Sequence, residues 1–368
     1  MLDFLTLKPD AFGLDISDLS LKIIKLKKRG VFLGLACFGQ EPIEPGVIHE
    51  GKVMNQDKLV AAIKRAVKKV RGSLRTKYVV ASLPEEKAFL QVIQMPKMPE
   101  EDLKSAVIYE AENYVPLPVE QLYIDSQIVR PVVNSLDHSD VLIAALPRKT
   151  VDPHLECLKK AGLVPKALEI ESLAVARALV KGEVTPYPVL LLDLGETRTS
   201  FIIFSGYSLR FTSSIPVSAW KLTEVISKTL SVDLKEAEKL KVKYGIKKKE
   251  IFDAATPTLI ALVEQIGKYL NYYKNHASHE HISTPISGGA VKPGVEKIFI
   301  SGGGANLKGL MDFLELEFRV PVLLGNPWAN ILPEPLREVP DLPFEESLRY
   351  TTALGLALRG IDSKKHDY

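Results

Sequence analysis

The sequence predicts an α/β protein of two similar lobes facing a shared cleft. Three observations carry that expectation. FGLDISDLSLKII, near the start, ends an apolar strand on Asp15, and VLLLDLGETRTSFII ends another on Asp193. Laid carboxylate on carboxylate, Ile16 falls on Leu194, Ser17 on Gly195, Leu21 on Thr199 and Ile23 on Phe201, the pattern of an internal duplication. Ile298-Phe299-Ile300-Ser301 then runs into Gly302, Gly303 and Gly304, which reads as strand, glycine turn and helix.

Each motif has a chemical rationale. Tight turns of small residues let backbone N–H groups converge on an anion. A carboxylate at the strand end repels phosphate but can hold a hydrated divalent cation that bridges to it. Lys22 offers positive charge to the same oxygens. Glycines admit a phosphate or a flat ligand close to the backbone. Either hairpin alone also fits an ordinary turn, since turns favour Asp, Ser and Gly. The glycine run alone fits a structural turn. The three in this order fit a nucleotide cleft.

The elements follow from hydrophobic period and punctuation. Phe12 to Ile16 and Leu21 to Leu26 are paired strands, and Val31 to Phe38 is a third. Asn55 caps a helix from Gln56 to Val70 with the stripe Leu59, Ala62, Ile63, Ala66, Val67 and Val70, and Gly72 stops it. Strands at Tyr78 to Leu83 and Ala88 to Met95 flank Pro84-Glu85-Glu86. A helix opens at Pro99 and ends by Pro116, burying Leu103, Ala106, Val107, Ala111 and Tyr114. Strands at Leu122 to Pro131 and Val141 to Leu146 complete an α+β unit that interrupts the first lobe. Thr150 to Ala161 and Ser172 to Lys181 are helices around a short strand, Pro165 to Ile170. After the second hairpin come helices at Ala219 to Leu230, Asp233 to Tyr244 and Pro257 to His276. A polar loop from His276 to Pro293, a strand at Lys297 to Ile300, a helix from Ala305 to Phe318, a strand at Pro321 to Leu324 and a helix from Glu345 to Arg359 close the chain, with a polar tail after Asp362.

Composition narrows the function classes. The 368 residues are enough for two or more cores. Basic and acidic residues number 48 and 45, so nothing drives the chain toward nucleic acid. Lys247-Lys248-Lys249 reads as a solvated helix end. Two distant cysteines, Cys37 and Cys157, have no metal or redox spacing, which fits a reducing compartment. No signal peptide or membrane span is legible, so the expected location is cytoplasmic, with any membrane association made through a partner. His276, His279 and His281 share a loop without partner ligands at metal spacing and read as solvated. Trp220 and Trp328 read as packing residues.

Together the motifs resemble the actin-like ATPase superfamily, and within it the PilM family of type IV pilus assembly. FGLDISDLSLKIIKL, IQMPKMPEEDLKSAVIYEAENYVPLP, AGLVPKALEIESLAVARAL, EAEKLKVKYG, IFISGGGANLKGL, GNPW and LGLALRGI carry the resemblance, which spans Phe12 to Ile361. The cell-division protein FtsA is the nearest alternative. The resemblance implies an actin-like fold with lobe 1 (subdomain 1A) at 1–75 and 148–184 and an inserted subdomain 1C at 76–147. It places subdomain 2A at 185–218 and 296–368, and 2B at 219–295. It further implies ATP and Mg²⁺. Asp15, Ser17, Asp18, Leu19, Ser20 and Lys22 would form the first phosphate turn, and Asp193, Gly195, Glu196, Thr197, Arg198 and Thr199 the second. Asp15 and Asp193 would reach Mg²⁺ through its water. Gly302, Gly303, Gly304 and Asn306 would form the adenosine motif, with Glu238 and Lys241 beside base and ribose. The implied partner is the N-terminal peptide of a PilN-like inner-membrane protein, bound between 1A and 1C. Other pilus assembly proteins and self-association are compatible with the family.

This chain departs from the family at the first turn, where Ser17 and Asp18 replace the usual glycine-rich step. A Cβ restricts positive φ, and Asp18 adds charge near phosphate. Arg198 either compensates at phosphate or points to solvent. Glu169 and Glu171 read as structural, and LPRKTVDPHLE after the insert offers no Glu or Gln at a strand end aimed at the cleft. ATP turnover is therefore expected to be slow or undetectable, and a rate well above roughly one per second would overturn this. A small-molecule kinase would need a substrate pocket that is not legible, and an FtsA-like polymer would need an amphipathic C-terminus, whereas GIDSKKHDY is polar. For the partner groove, Tyr78, Val80, Met95 and Met98 sit at the seam of insert and lobe, while burial in the insert's own core is the competing reading for the methionines.

Overall fold

A computed structural model describes residues 10–30, 32–129, 138–276 and 294–361. Val31, the 130–137 stretch, His279 and His281 in the polar loop, and the tail after Ile361 lie outside the described residues.

The first lobe opens with β1 (Phe12–Ile16), β2 (Ser20–Arg29), β3 (Phe32–Pro42), the short pair β4 (Ile48–His49) and β5 (Lys52–Val53), helix α1 (Gln56–Lys69), β6 (Arg71–Gly72) and β7 (Tyr78–Leu83). Asn55 caps α1 by accepting the Lys58 N–H at 3.0 Å, and Lys68 and Lys69 complement its C-terminal dipole. A 3₁₀ turn at Glu85–Lys87 leads into the insert: β8 (Phe89–Pro96), α2 (Glu100–Tyr114), β9 (Leu122–Val129) and β10 (His138–Pro147). The chain returns through α3 (Arg148–Lys160), β11 (Val164–Ile170) and α4 (Glu171–Leu179). The second lobe comprises β12 (Thr185–Leu194), β13 (Thr199–Gly206), β14 (Ser208–Ile215), α5 (Ala219–Leu230), α6 (Leu234–Tyr244), α7 (Lys249–His276), β15 (Lys297–Ser301), α8 (Leu310–Phe318) and β16 (Val322–Leu324). The short α9 (Phe344–Ser347) and then α10 (Thr351–Ile361) end the described chain.

The first sheet has the order β11-β7-β1-β2-β3-β6 and the second β14-β13-β12-β15-β16. In both, an antiparallel hairpin sits beside a parallel strand: β1–β2 beside β7, and β12–β13 beside β15. The duplicated hairpins therefore occupy equivalent places. Strand β7, grouped by the sequence with the insert at 76–147, pairs instead with β1 and β11 in the first sheet. The insert's own sheet is β8-β10-β9. Tyr114, expected on the buried face of α2, is exposed, its ring stacked on Phe89.

Three further elements differ from the sequence expectation. Helix α7 begins at Lys249 and passes through Pro257, because Ile251, Ala254 and Ala255 are buried and carry the helix past the proline. The glycine turn gives one 3₁₀ turn at Gly303–Asn306, and α8 starts only after Gly309. Strand β14 was not legible because Thr212, Ser213 and Ser214 hide its period.

Two helices cross between the lobes. Helix α4 lays Val175, Ala176 and Leu179 against Val189, Leu191 and Ile202 of the second sheet. Helix α10, expected to belong to the second lobe, packs Ala353, Leu354 and Ala357 against Ile24 and Leu26 of the first. The crossing is close: a Cβ on Gly355 would lie 1.9 Å from the Ala174 carbonyl oxygen, and one on Gly13 would lie 2.3 Å from the Ala353 carbonyl oxygen. Beside it, Glu169 is paired with both Arg177 and Arg359. Gly355→Ala is expected to cost about 3 kcal/mol or more in denaturant unfolding, because backbone rather than a side chain must move.

Candidate active site

The site forms where β1, β7, β11, β12 and β15 end. Asp15 and Lys22 are cross-strand partners on β1 and β2, and the Lys22 ammonium donates to Asp15 Oδ2 at 3.0 Å. Ser82, at the end of β7, donates to Asp15 Oδ1 at 3.3 Å and accepts the Ile16 N–H at 2.8 Å. Burial works against the Lys22 charge, but Asp15, Asp193 and Glu196 outweigh it and raise its pKa. Asp193, on the opposite lobe, accepts from Ser301 Oγ at 2.8 Å. Burial raises its carboxyl to about 6, Asp15 adds to the rise, and Ser301 and Lys22 hold it back. The two duplicated carboxylates thus share one space around one lysine.

In the first turn, Ser17 closes on Ser20. Its N–H donates to the Ser20 carbonyl at 3.0 Å and its hydroxyl lies 3.1 Å from that of Ser20. Among the described non-glycine residues only Glu50, Glu183, Ser231 and Arg319 have positive φ, so this turn needs no glycine. Asp18 does not add its charge freely to the cleft. Its carboxylate accepts the Glu50 and Gly51 N–H groups at 2.9 and 3.0 Å and braces the β4–β5 turn. Leu19 is half-buried, its carbonyl accepting from Ile43.

In the second turn, Gly195 N–H donates to the Arg198 carbonyl at 2.9 Å, and Glu196 is exposed with Thr197 half-buried. Thr199, expected at phosphate, is fully buried and donates to the Val217 carbonyl at 2.7 Å. Its side chain takes the inward face of β13. Arg198 meets neither of its two expected environments: it donates to Ser214 Oγ at 3.0 Å and pairs with Glu86 at 3.2 Å.

The glycine turn lies on the second hairpin. Gly302 has φ +83, and a Cβ there would meet Leu194 backbone at 2.4 Å. Gly303 is exposed, while Asn306 donates to the Glu345 carbonyl at 2.8 Å. A Cβ on Gly304 would lie 3.5 Å from that of Ala219, whose carbonyl accepts from Lys241 at 2.9 Å. Lys241 is buried and pairs with Glu238 at 2.7 Å. One wall therefore joins glycine turn, Lys241 and Glu238.

Two acids were missed as site residues. Glu171 is the first residue of α4, just past the end of β11, and burial together with Asp15, Glu86, Glu85 and Asp193 pushes its carboxyl well above the usual range. The sequence reads it as structural with Glu169, but Glu169 pairs with Arg177 and Arg359 whereas Glu171 stands among the other acids. The usable signal was its place at the same strand ends as Asp15. Glu85 is 4% exposed with no well-formed hydrogen bond to either carboxyl oxygen. Burial lifts it to about 8, only partly offset by the Thr212 and Ser200 hydroxyls.

The model of the family "Type IV pilus assembly protein PilM" matches residues 13–361. The chain belongs to that family. The structure described as a PilM-PilN type IV pilus biogenesis complex is similar at 29% identity and a TM-score of 0.78, covering 96% of this chain and 99% of the other. The MreB5 structure from Spiroplasma citri bound to ADP shares the fold, with a TM-score of 0.55 at 11% identity and 96% of each chain covered. The chain is thus an α/β protein of the actin-like fold. Relatives by sequence include FtsA of Pseudomonas aeruginosa, 22% identical over 57% of this chain and 51% of its own length, and FtsA of Enterococcus hirae, 23% identical over 86% and 78%. The chain spans about half the length of the first of these FtsA relatives.

The residues expected to meet a peptide are mostly interior. Met95 is 3% exposed and, with Met98 against it, packs on Leu103 and Val107 in the insert's own core. Val80 lies among Ala11, Ala174 and Leu356, and Tyr78 is half-buried under Lys166. A central strand and a core methionine offer no free face. Lobe and insert meet through Leu83, Leu146, Val151 and Ile170, and at the surface where β9 meets α3, with Arg148 over the Tyr123 ring and the Tyr123 hydroxyl donating to Asp152 at 2.9 Å.

Glu85 makes stability depend on pH. Its carboxyl rises from 4.5 unfolded to about 8 folded, so its contribution is complete below pH 4.5 and lost as pH climbs through 8. Thermal melts from pH 5 to 9 are expected to show a loss on the order of 4 kcal/mol from this group, absent in Glu85→Gln.

Proposed function

We propose that this chain is a nucleotide-responsive adaptor of type IV pilus assembly, binding Mg–ATP between its lobes and the N-terminal peptide of a PilN-like inner-membrane protein beside its insert. The observation that carries the nucleotide half is that Asp15 and Asp193, one from each lobe, both act on Lys22, next to a glycine turn that lies against backbone, with Glu171 under the influence of both acids. Burial and neighbouring acids hold Asp193 and Glu171 above the usual carboxyl range, and a divalent cation would relieve that repulsion. Bound Mg²⁺ would neutralise charge on both the acids and the phosphates. Asp15 and Asp193 would hold its water, with Lys22 beside the phosphates. Glu238, Lys241 and the glycine turn would border the nucleoside.

Glu171 would face the attacking water. A carboxyl that keeps its proton is a poor base, which supports slow turnover. The peptide half rests on family membership and on the β9–α3 seam, where β9 is an edge strand of the insert's sheet. No described helix is long and apolar enough to cross a membrane, so placement at the cytoplasmic face of the inner membrane would come through the partner.

Titration calorimetry tests both halves. Because Asp193 takes up a proton near pH 6, Mg–ATP affinity is expected to fall roughly tenfold per unit below that pH, and Asp193→Asn to bind weakly at every pH. Affinity that ignores pH between 5 and 7 would argue against a cation on Asp193. With a PilN-type peptide, Tyr123→Ala is expected to weaken binding about tenfold while leaving Mg–ATP affinity as it was. Equal peptide affinity would move the groove elsewhere.

A further inference from the structure

The root of the insert is held by both phosphate turns. From the first turn, Asp18 binds the Glu50 and Gly51 amides. Gly51 then lies so close to the insert's entry that a Cβ would meet Pro84 at 2.3 Å and Glu86 Oε1 at 2.8 Å. From the second turn, Arg198 reaches across the lobes to the same Glu86 at 3.2 Å. Glu86 is therefore the common terminus of two paths that start at the two hairpins.

Arg198 stands between two anionic demands. It is three residues after Gly195, in the turn that closes on Asp193, and its guanidinium has Glu86 as its carboxylate partner. A phosphate placed at that turn carries more charge than one carboxylate and accepts the same planar donor set. Burial already raises the Glu86 carboxyl, with Arg198 as the leading opposing influence. Withdrawing Arg198 leaves Glu86 next to Glu85, Asp18 and Glu171 with Lys87 as its counter-charge.

We propose that Arg198 is a positioning residue with two alternative partners, Glu86 and a phosphate at the second turn, and that it couples occupancy of the cleft to the seating of the insert. The proposal rests on the nucleotide reading above. By linkage, whatever draws Arg198 off Glu86 loosens the Glu85–Lys87 turn and the start of β8, and whatever frees Arg198 tightens nucleotide binding.

The test uses the full chain, Mg–ATP titrations and hydrogen exchange. Glu86→Gln is expected to bind Mg–ATP about three- to tenfold tighter, and Arg198→Ala about tenfold more weakly, with no added effect of Glu86→Gln in that background. Mg–ATP is expected to speed exchange at Glu85–Lys87 and early β8 in the wild type and in Arg198→Lys, but not in Arg198→Ala. The lysine variant separates loss of the charge from a folding defect. Unchanged affinity in Glu86→Gln, or unchanged exchange in the ATP-bound wild type, overturns the coupling alone. A wild type that binds no nucleotide overturns the cleft reading and the coupling with it.

Discussion

The close crossing of α4 over α10 is the constraint on which the rest of the molecule depends. A helix that follows the first sheet packs on the second, and the helix that ends the second lobe packs on the first. Gly355 lets the two backbones touch, and Gly13 lets α10 settle on β1. Such contact leaves no room for sliding, since packed interiors resist overfilling. Glu169 with Arg177 and Arg359 fixes the same joint, with its charges compensated by direct ion pairs. The consequence reaches the site: strand ends from both sheets are brought to one level, and their terminal side chains must share one volume.

That volume is electrostatically unbalanced. Asp15 and Asp193 act on Lys22, Glu86 pairs with Arg198, and Glu85 and Glu171 feel the neighbouring acids. Like charges withdrawn from water cannot all ionise, so protons stay on some of them. Asp15 has a lysine and a serine hydroxyl. Asp193 has a serine hydroxyl and shares the lysine's field, and it retains its proton to about pH 6. The duplication is thus symmetric in backbone and asymmetric in charge. Lys22 arises only on the first hairpin, where the second has Ser200 opposite Asp193. An anion with its own divalent cation fits this gradient better than a neutral ligand.

Much of the architecture was legible because it is written in local rules. The two hairpins, the Asn55 cap and the start of α5 at Ala219 follow from period and capping. Strand β14 was hidden by its hydroxyl residues, and the start of α7 by a proline that a helix can carry when its apolar face is already buried. At the site, sequence located the backbone and misplaced side chains. Thr199 turned inward, Asp18 turned to a neighbouring turn, and Arg198 crossed to the other lobe. Glu171 was lost because it reads like its neighbour Glu169, although it stands first in α4 among the acids of the strand ends. Each outcome depends on which element lies opposite, which spacing along one chain does not record. Met95 makes the same point, since an adaptable side chain at a seam and one in a core have the same local sequence.

The kinds of contact that join the three units differ. The lobes meet mainly through aliphatic side chains of α4 and α10, with the Glu169 ion pairs beside them. The insert meets the second lobe partly through ions: Arg210 with Asp140, nearly buried, and Arg198 with Glu86. Ion pairs out of water lose much of their attraction to desolvation, yet leave a costly orphan when one partner departs. An interface of that kind has discrete states, because each arginine must find another anion before it can leave. The apolar crossing is therefore the fixed joint of this molecule. The charged face between insert and second lobe is the one that a bound anion can rearrange, because Arg198 of that face stands in the turn where such an anion would sit.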